Sequence, residues 1–227
     1  MKEAQVAPHA ARDRLLAAAL DYVVHNGVSQ LTLRTLAEAI GTSHRMLIYH
    51  FGSKEGLLVA VIRAVEAAQR QFFAELTATD PTLSPGDGIR EMWRHFTDPR
   101  LGPHERLFFE IYGQALQGRP GTLGLLDDVV DAWVEPVAAY AIERGVPADQ
   151  ARADARLGIA VVRGLLLDLL ATGNRQAVNA ALERFIAQYE AVSAVGAGLQ
   201  TVELGVQAAV ADQVGVGAAF HDAAAGE

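Results

Sequence analysis

The sequence predicts an all-α protein, with an N-terminal helix-turn-helix head of three short helices, a long fourth helix, and a C-terminal helical bundle. Three observations predict it. Apolar residues recur at three- and four-residue spacing through most of the chain, which is the period of one helix face. No alternation of apolar and polar residues with β-branched enrichment is long enough for a sheet. Glycine, serine, threonine and proline fall between the periodic segments, where helices start and stop.

The elements follow in order. Leu15, Leu16, Ala19, Leu20, Val23 and Val24 form one face of a first helix that ends at Asn26–Gly27, because glycine takes the left-handed conformation of a helix C-terminus. Thr32 is the expected N-cap of a second helix, Leu33 to Ile40, with Leu33, Leu36, Ala37 and Ile40 on its inner face. Gly41 stops it. Ser43 caps a third helix from His44 to about Phe51, and Ser53 caps a long fourth from Lys54 to about Leu76. The turn residues from Asp80 to Gly88 read as a loop. Further helices are predicted at Ile89–Thr97, Pro103–Gln117, Thr122–Arg144, Pro147–Ala171 and Arg175–Val192, with Pro136 kinking or dividing the third of these. The domains expected are 1–60, 61–192 and a tail, 193–227. That tail is rich in alanine, glycine and valine, and six glycines weaken any helix it forms, so partial disorder is expected.

Composition removes several chemistries. The chain has 227 residues and no cysteine, which excludes disulfides, thiolate zinc sites, iron–sulfur clusters and cysteine nucleophiles. Stretches free of charged residues reach only about a dozen residues, against the 20 or so a membrane span needs. The apolar run Leu15–Val24 is broken by Asp21 and preceded by Asp13, unlike a secretory signal. A soluble, cytoplasmic protein with no membrane partner is expected. The net charge of −8 is unevenly spread. Residues 1–60 carry 6 Lys and Arg against 5 Asp and Glu, whereas residues 61–227 carry 13 against 22. Phosphate contact, which depends on local charge, is therefore open to the head and not to the body.

The segment LTLRTLAEAIGTSHRMLIYHFGSKEGLL, Leu31 to Leu58, resembles the DNA-binding signature of TetR-type (tetracycline-repressor-like) transcriptional regulators. The matched pieces are the Asn-Gly ending of the first helix, Leu-Arg-x-Leu-Ala, Gly-x-Ser before the third helix, His-Phe at its end, and Ser-Lys-Glu-x-Leu-Leu after it. The resemblance covers about residues 12–60. Beyond them only the helical layout and the length are similar.

The third helix is then the recognition helix, and its N-terminal residues would meet base edges. Leu47 and Phe51, four apart, pack inward, which turns His44, Arg45 and Met46 outward. Arg45 is the best candidate for direct readout, since guanidinium pairs bidentately with guanine O6 and N7. His44 would donate to a base or phosphate, and Met46 would meet a thymine methyl. Tyr49, His50 and Lys54 suit the phosphate backbone, with burial between the third and fourth helices as the alternative for His50, and Thr42 and Ser43 offer hydroxyl donors, with an N-cap alone as the alternative for Ser43. Lys54 opens the fourth helix, whose free N–H groups already attract an anion, and the resemblance makes it a backbone contact. One departure stands out. The family pattern Leu-Tyr-x-His-Phe is here Leu47-Ile48-Tyr49-His50-Phe51, so the tyrosine is displaced by one residue, about 100° around the helix.

The resemblance implies that the body is a ligand-binding and dimerisation domain. Trp93, Phe96, Phe108, Phe109, Tyr112 and Trp133 are the candidates for lining an apolar pocket, with Glu91, Arg94, His95 or Gln114 as polar handles. Filling the core is their alternative role. Arg163 and Asp168 interrupt the apolar run Leu157–Leu170 as surface, paired or pocket groups. The last two helices would form the dimer interface through Leu165, Leu166, Leu169, Leu182, Phe185 and Ile186. The expected partners are double-stranded operator DNA, a second copy of the chain and a small-molecule ligand, with no cofactor and no metal.

Two rival readings are weaker. The sequence lacks Gly-x-Ser-x-Gly, P-loop, dinucleotide and His-Glu-x-x-His motifs, which argues against an enzyme. Glu91, His95 and His104 would be the metal ligands under that reading. The other rival is a helical ligand-binding protein whose head no longer grips DNA, or does so only with a corepressor.

Overall fold

A computed structural model describes residues 8–28 and 30–191. The tail, 193–227, lies outside them. The described residues fall into two compact units, divided between Val178 and Asn179. In the first unit the elements are α1 (Pro8–Asn26), α2 (Leu33–Ala39), α3 (His44–Phe51), α4 (Lys54–Thr79), α5 (Pro85–Phe96), α6 (Gly102–Leu116), a 3-10 turn (Leu123–Leu125), α7 (Asp131–Ile142) and α8 (Ala148–Thr172). Residues 175–178 are again helical. In the second unit, residues 179–191 are helical. The described residues contain no strand, and none of their helices is long and apolar enough to cross a membrane.

The predicted caps set the head. Thr32 and Thr35 form a reciprocal capping box: the Thr35 amide donates to Thr32 Oγ1 at 3.1 Å and the Thr32 amide to Thr35 Oγ1 at 3.2 Å. Ser43 Oγ accepts from the Met46 amide at 3.2 Å, and Ser53 Oγ from the Gly56 amide at 2.9 Å. Gly41, at φ +68°, makes the turn between α2 and α3. Gly56 is required by space: a Cβ there would lie 2.2 Å from the Phe51 carbonyl oxygen. Removing the α3 cap with Ser43→Ala is expected to lower stability by about 1 kcal/mol. For a chain of this size that is a fall of about 2–4 °C in melting temperature, measurable by calorimetry.

Hydrophobic burial joins these helices. Ala19 and Val23 of α1, Leu33, Leu36 and Ala37 of α2, Leu47 of α3 and Leu57, Leu58 and Val61 of α4 share one core with Leu107, Phe108 and Ile111 of α6 and with Leu125 and Val129. This core is continuous past residue 60, which lies inside α4. A second cluster joins Val134 and Ala138 of α7 to Ala151 and Ala155 of α8. Its small side chains let those two helices approach closely.

Two segments differ from the sequence reading. The fifth helix begins at Pro85, not Ile89, because Ser84 Oγ caps the Asp87 amide at 3.0 Å and Pro85 fits the first turn. The helix expected from Thr122 to Arg144, kinked or divided at Pro136, is a 3-10 turn and then α7, and Pro136 sits inside α7 without dividing it. The break comes earlier. Arg63 of α4 donates Nη2–H to the Gly124 carbonyl at 2.5 Å, taking an acceptor that a continuous helix would use.

Candidate functional site

The head presents a polar and apolar outer face on a buried scaffold. Leu47 is completely buried and Phe51 packs against the same core. That anchorage turns Ser43, His44, Arg45 and Met46 to solvent, with Met46 39% exposed. Ile48 and Tyr49 are both outside, at 39% and 74% exposure, so the displaced tyrosine has the more open position of the two. Thr42 and Lys54 are half-buried at the two ends of this face. His50 is also half-buried, and its Nε2 is buried with no hydrogen-bond partner, so that atom leaves the outward-facing set. Tyr49 meets the His50 ring edge-on, with centroids 4.9 Å apart. On α2, Arg34 is exposed as well. The sequence reading passed over it, although its place off the Leu33–Leu36–Ala37 face marks it as outward.

The first turns of α4 are tied to the body. Arg119 donates to Glu55 at 3.1 Å. A Cβ at Gly121 would come within 3.0 Å of the Glu55 Cβ, so the 118–122 turn lies directly against α4. Two turns farther along α4, Arg63 holds the Gly124 carbonyl and lies 3.5 Å from Asp128.

Deeper along α4, facing α6, is a small cavity with room for about one water. Ile62, Val65, Leu107 and Phe108 supply its apolar lining, and Glu66, Gln69, His104 and Glu105 its polar lining. Gln69 and Glu105 are 4% and 7% exposed, and Gln69 Nε2 donates to Glu105 Oε1 at 2.7 Å. Burial pushes the Glu105 carboxyl up to about 7. The Gln69 hydrogen bond opposes that rise and the nearby Glu66 charge adds to it. Burial also raises Glu66, against a hydrogen bond from Trp133 Nε1 and the charges of Arg163 and Arg70. Arg163 lies 3.8 Å from Glu66, donates to the Val129 carbonyl at 2.6 Å and sits over the Phe108 ring at 5.1 Å. Both ring nitrogens of His104 are buried without a hydrogen-bond partner, and burial lowers its pKa.

Of the six aromatic candidates for a pocket, only Phe108 lines this cavity. Trp133 reaches it indirectly through Glu66 and meets Phe96 edge-on at 5.8 Å. Tyr112 stacks on Phe108 at 5.4 Å, Phe109 packs at the edge of the main core, and Trp93 is buried. The suggested handles lie elsewhere. Arg94 pairs with Glu91 at 2.6 Å, His95 stacks on Phe72 at 4.2 Å, and Gln114 donates to Glu110 at 3.3 Å. The described residues contain no group of three metal-ligating side chains, and Glu91, His95 and His104 are not gathered. The polar residues that do gather had a signal in the sequence: Gln69 follows Ile62 and Val65 on the inner face of α4, and Glu105 precedes Phe108 by three residues.

The dimer candidates also separate. In the first unit Leu166 is 5% exposed, while Leu165 and Leu169 keep part of their surface. In the second unit Leu182 and Ile186 are 2% and 0% exposed, while Phe185 is half-buried. Leu166, Leu182 and Ile186 are thus buried, whereas Leu165, Leu169 and Phe185 keep surface. Leu157 and Leu167 of α8 are open to solvent.

Known proteins carry the same arrangement. The family model described as bacterial regulatory proteins, tetR family, matches residues 15–61. The HTH-type transcriptional regulator BetI of Pseudomonas aeruginosa is 28% identical over 165 residues, covering 72% of this chain and 83% of BetI. A transcriptional regulator from Rhodococcus sp. Rha1 superposes with a TM-score of 0.62 at 19% identity, over 78% of this chain and 95% of the other. The multidrug binding protein EbrR, solved with imidazole, superposes with a TM-score of 0.53 at 26% identity, over 78% and 89%. The family match falls on the capped helices that turn Arg45 outward, and the relative that spans both head and body is a transcriptional regulator, so the head of this chain is similar to that of the tetR-family regulators.

Proposed function

We propose that two copies of this chain form a repressor that binds a palindromic operator in the cytoplasm and is released by a small molecule held in the body. The observation that carries the DNA half is the exposed first turn of α3, capped by Ser43 and anchored by the buried Leu47. Arg45 reads a guanine, with His44 and Met46 beside it. Thr42, Ser43, Tyr49, Lys54 and the newly placed Arg34 hold phosphates. Leu165, Leu169 and Phe185, with the exposed Leu157 and Leu167, supply the surface for a second copy. Twofold symmetry then spaces the half-sites about one helical turn, roughly 34 Å, apart.

The ligand half rests on the polar groups buried between α4 and α6 and on their route to the head. The same helix α4 carries Lys54 at its start and Glu66 and Gln69 in the cavity wall. The Glu55–Arg119 and Arg63–Gly124 contacts brace it between the two. A ligand that moves α4 therefore moves the head, and the coupling is reciprocal: operator weakens ligand binding by the same factor. EbrR, a multidrug binding protein, supports a body that takes small molecules. The test selects bound duplexes from a random pool with purified protein at near-physiological salt. Enrichment of a palindrome, with affinity falling steeply as salt rises, is expected. No enrichment from a folded dimer would instead favour the rival, a ligand-binding protein that has lost DNA or needs a corepressor.

A further inference from the structure

The turn between α6 and the 3-10 segment rests on the first turn of α4 and brings a cation to it. Arg119 Nη2 donates to Glu55 Oε1 at 3.1 Å across 64 positions. Glu55 is the acidic residue of the first turn of α4, next to Lys54. Its side chain is 24% exposed and that of Arg119 54%, so the carboxylate is the covered partner. Ion pairs near the surface usually contribute little, because two long side chains must be held in one geometry. Here the backbone of Arg119 is fixed on both sides. Its amide donates to the Gln114 carbonyl at 3.0 Å, and its carbonyl accepts from Thr122 Oγ1 at 2.7 Å. Thr122 itself is fully buried. Gly121, at φ +85°, completes the seat. A Cβ there would lie 3.0 Å from the Glu55 Cβ and 3.2 Å from Ser53 Oγ, the cap of α4. Glycine lets the turn rest that close.

We infer that Arg119 is a positioning residue for DNA binding, supplied by the body: seated on α4, its guanidinium masks the Glu55 carboxylate beside Lys54, and lifting the 118–122 turn exposes that charge to the operator. The inference rests on the proposed DNA reading of the head. Its physical basis is a conflict at the start of α4. Lys54 and the free N–H groups of the first turn attract a phosphate. A bare carboxylate one residue on repels the same phosphate, at a range shorter than the Debye length, where salt screens it only in part. A guanidinium bonded to that carboxylate leaves the pair neutral, and Lys54 then acts without opposition. The contact thereby ties DNA affinity to the body without any change in α3. A body conformation that seats the turn favours the operator, and one that lifts it opposes the operator. Operator binding in turn holds the turn down by the same factor.

The experiment measures the affinity of the full chain for the selected palindrome and for a scrambled duplex of the same length, at low and high salt. Arg119→Met is expected to weaken both duplexes at low salt by about threefold per head, or about tenfold for two heads, the size of one unmasked charge near a surface. The deficit should shrink as salt rises. Arg119→Lys keeps the charge and should keep most of the binding. Gly121→Ala lifts the turn without changing any charge, and it should weaken binding in the same direction as Arg119→Met. The deciding arm repeats both replacements in the Glu55→Gln background. With no carboxylate to unmask, each should then cost little, and Glu55→Gln alone should bind no more weakly than wild type. Arg119→Met that binds as tightly as wild type would overturn the inference. So would a loss of equal size in the wild-type and Glu55→Gln backgrounds, which would mean that Arg119 acts through its own charge or as a mechanical brace. Wild-type protein that binds neither duplex would overturn the DNA reading of the head, and this inference with it.

Discussion

Arg45→Ala is expected to remove the base preference at one position of each half-site and to weaken specific operator binding by about 1–3 kcal/mol per head. With two heads on one operator the loss is about 2–6 kcal/mol, or at least about 30-fold. The effect is large because Arg45 is exposed on the first turn of a helix whose opposite side is fixed by the fully buried Leu47, so nothing nearby can take its place. Lys54→Ala makes the contrast. The proposed role of its charge is on the phosphate backbone whatever the sequence, so its loss should weaken all duplexes alike and reduce the salt slope by about one per head. Binding measured at several salt concentrations, on the selected palindrome and on a scrambled duplex, separates the two. Arg45→Ala that keeps the wild-type preference for the palindrome would refute the assignment of base readout to this residue.

The head was legible in the sequence because its signals are local. A cap and its target amide lie within three residues, and Leu36, Leu47 and Phe51 declare their inner faces by spacing alone. The exposed Arg34 was legible in the same way, from its place off the Leu33–Leu36–Ala37 face. The fifth helix shows how one local signal has two meanings: Ser84-Pro85-Gly86-Asp87 reads as a turn, and the same residues are an N-cap, a first-turn proline and a capped amide. The body resisted reading because its chemistry pairs distant residues. Gln69 meets Glu105 across 36 positions, and Arg63 reaches Gly124 across 61. No window of sequence contains both partners. Large aromatic side chains suggested pocket walls, but Trp133 and Tyr112 had other work, packing on Phe96 and Phe108. Half of the residues that line the cavity are polar groups set on otherwise apolar helix faces, an anomaly visible in the sequence once buried faces are known.

Glu66 is a half-buried carboxylate with partners on two other helices, and Glu66→Ala is expected to destabilise the protein by about 3–5 kcal/mol. Glu66 accepts from Trp133 Nε1 and faces the guanidinium of Arg163, whose side chain is only 17% exposed. Alanine leaves that guanidinium buried with the Val129 carbonyl and the Phe108 ring as its remaining partners, and leaves the Trp133 N–H without an acceptor. At about 2–4 °C per kcal/mol the melting temperature should fall by roughly 6–20 °C. Glu66→Gln keeps an acceptor for Trp133 and should cost less, since only the charge is lost. A double replacement, Glu66→Leu with Arg163→Met, removes both charges and should recover much of the loss, because an apolar pair of similar volume spares the desolvation of two ions. If Glu66→Ala melts with the wild type, the ion pair is not holding α4 to α8. If the double replacement is no better than the single one, the cost lies in packing and in the Trp133 hydrogen bond rather than in the stranded arginine.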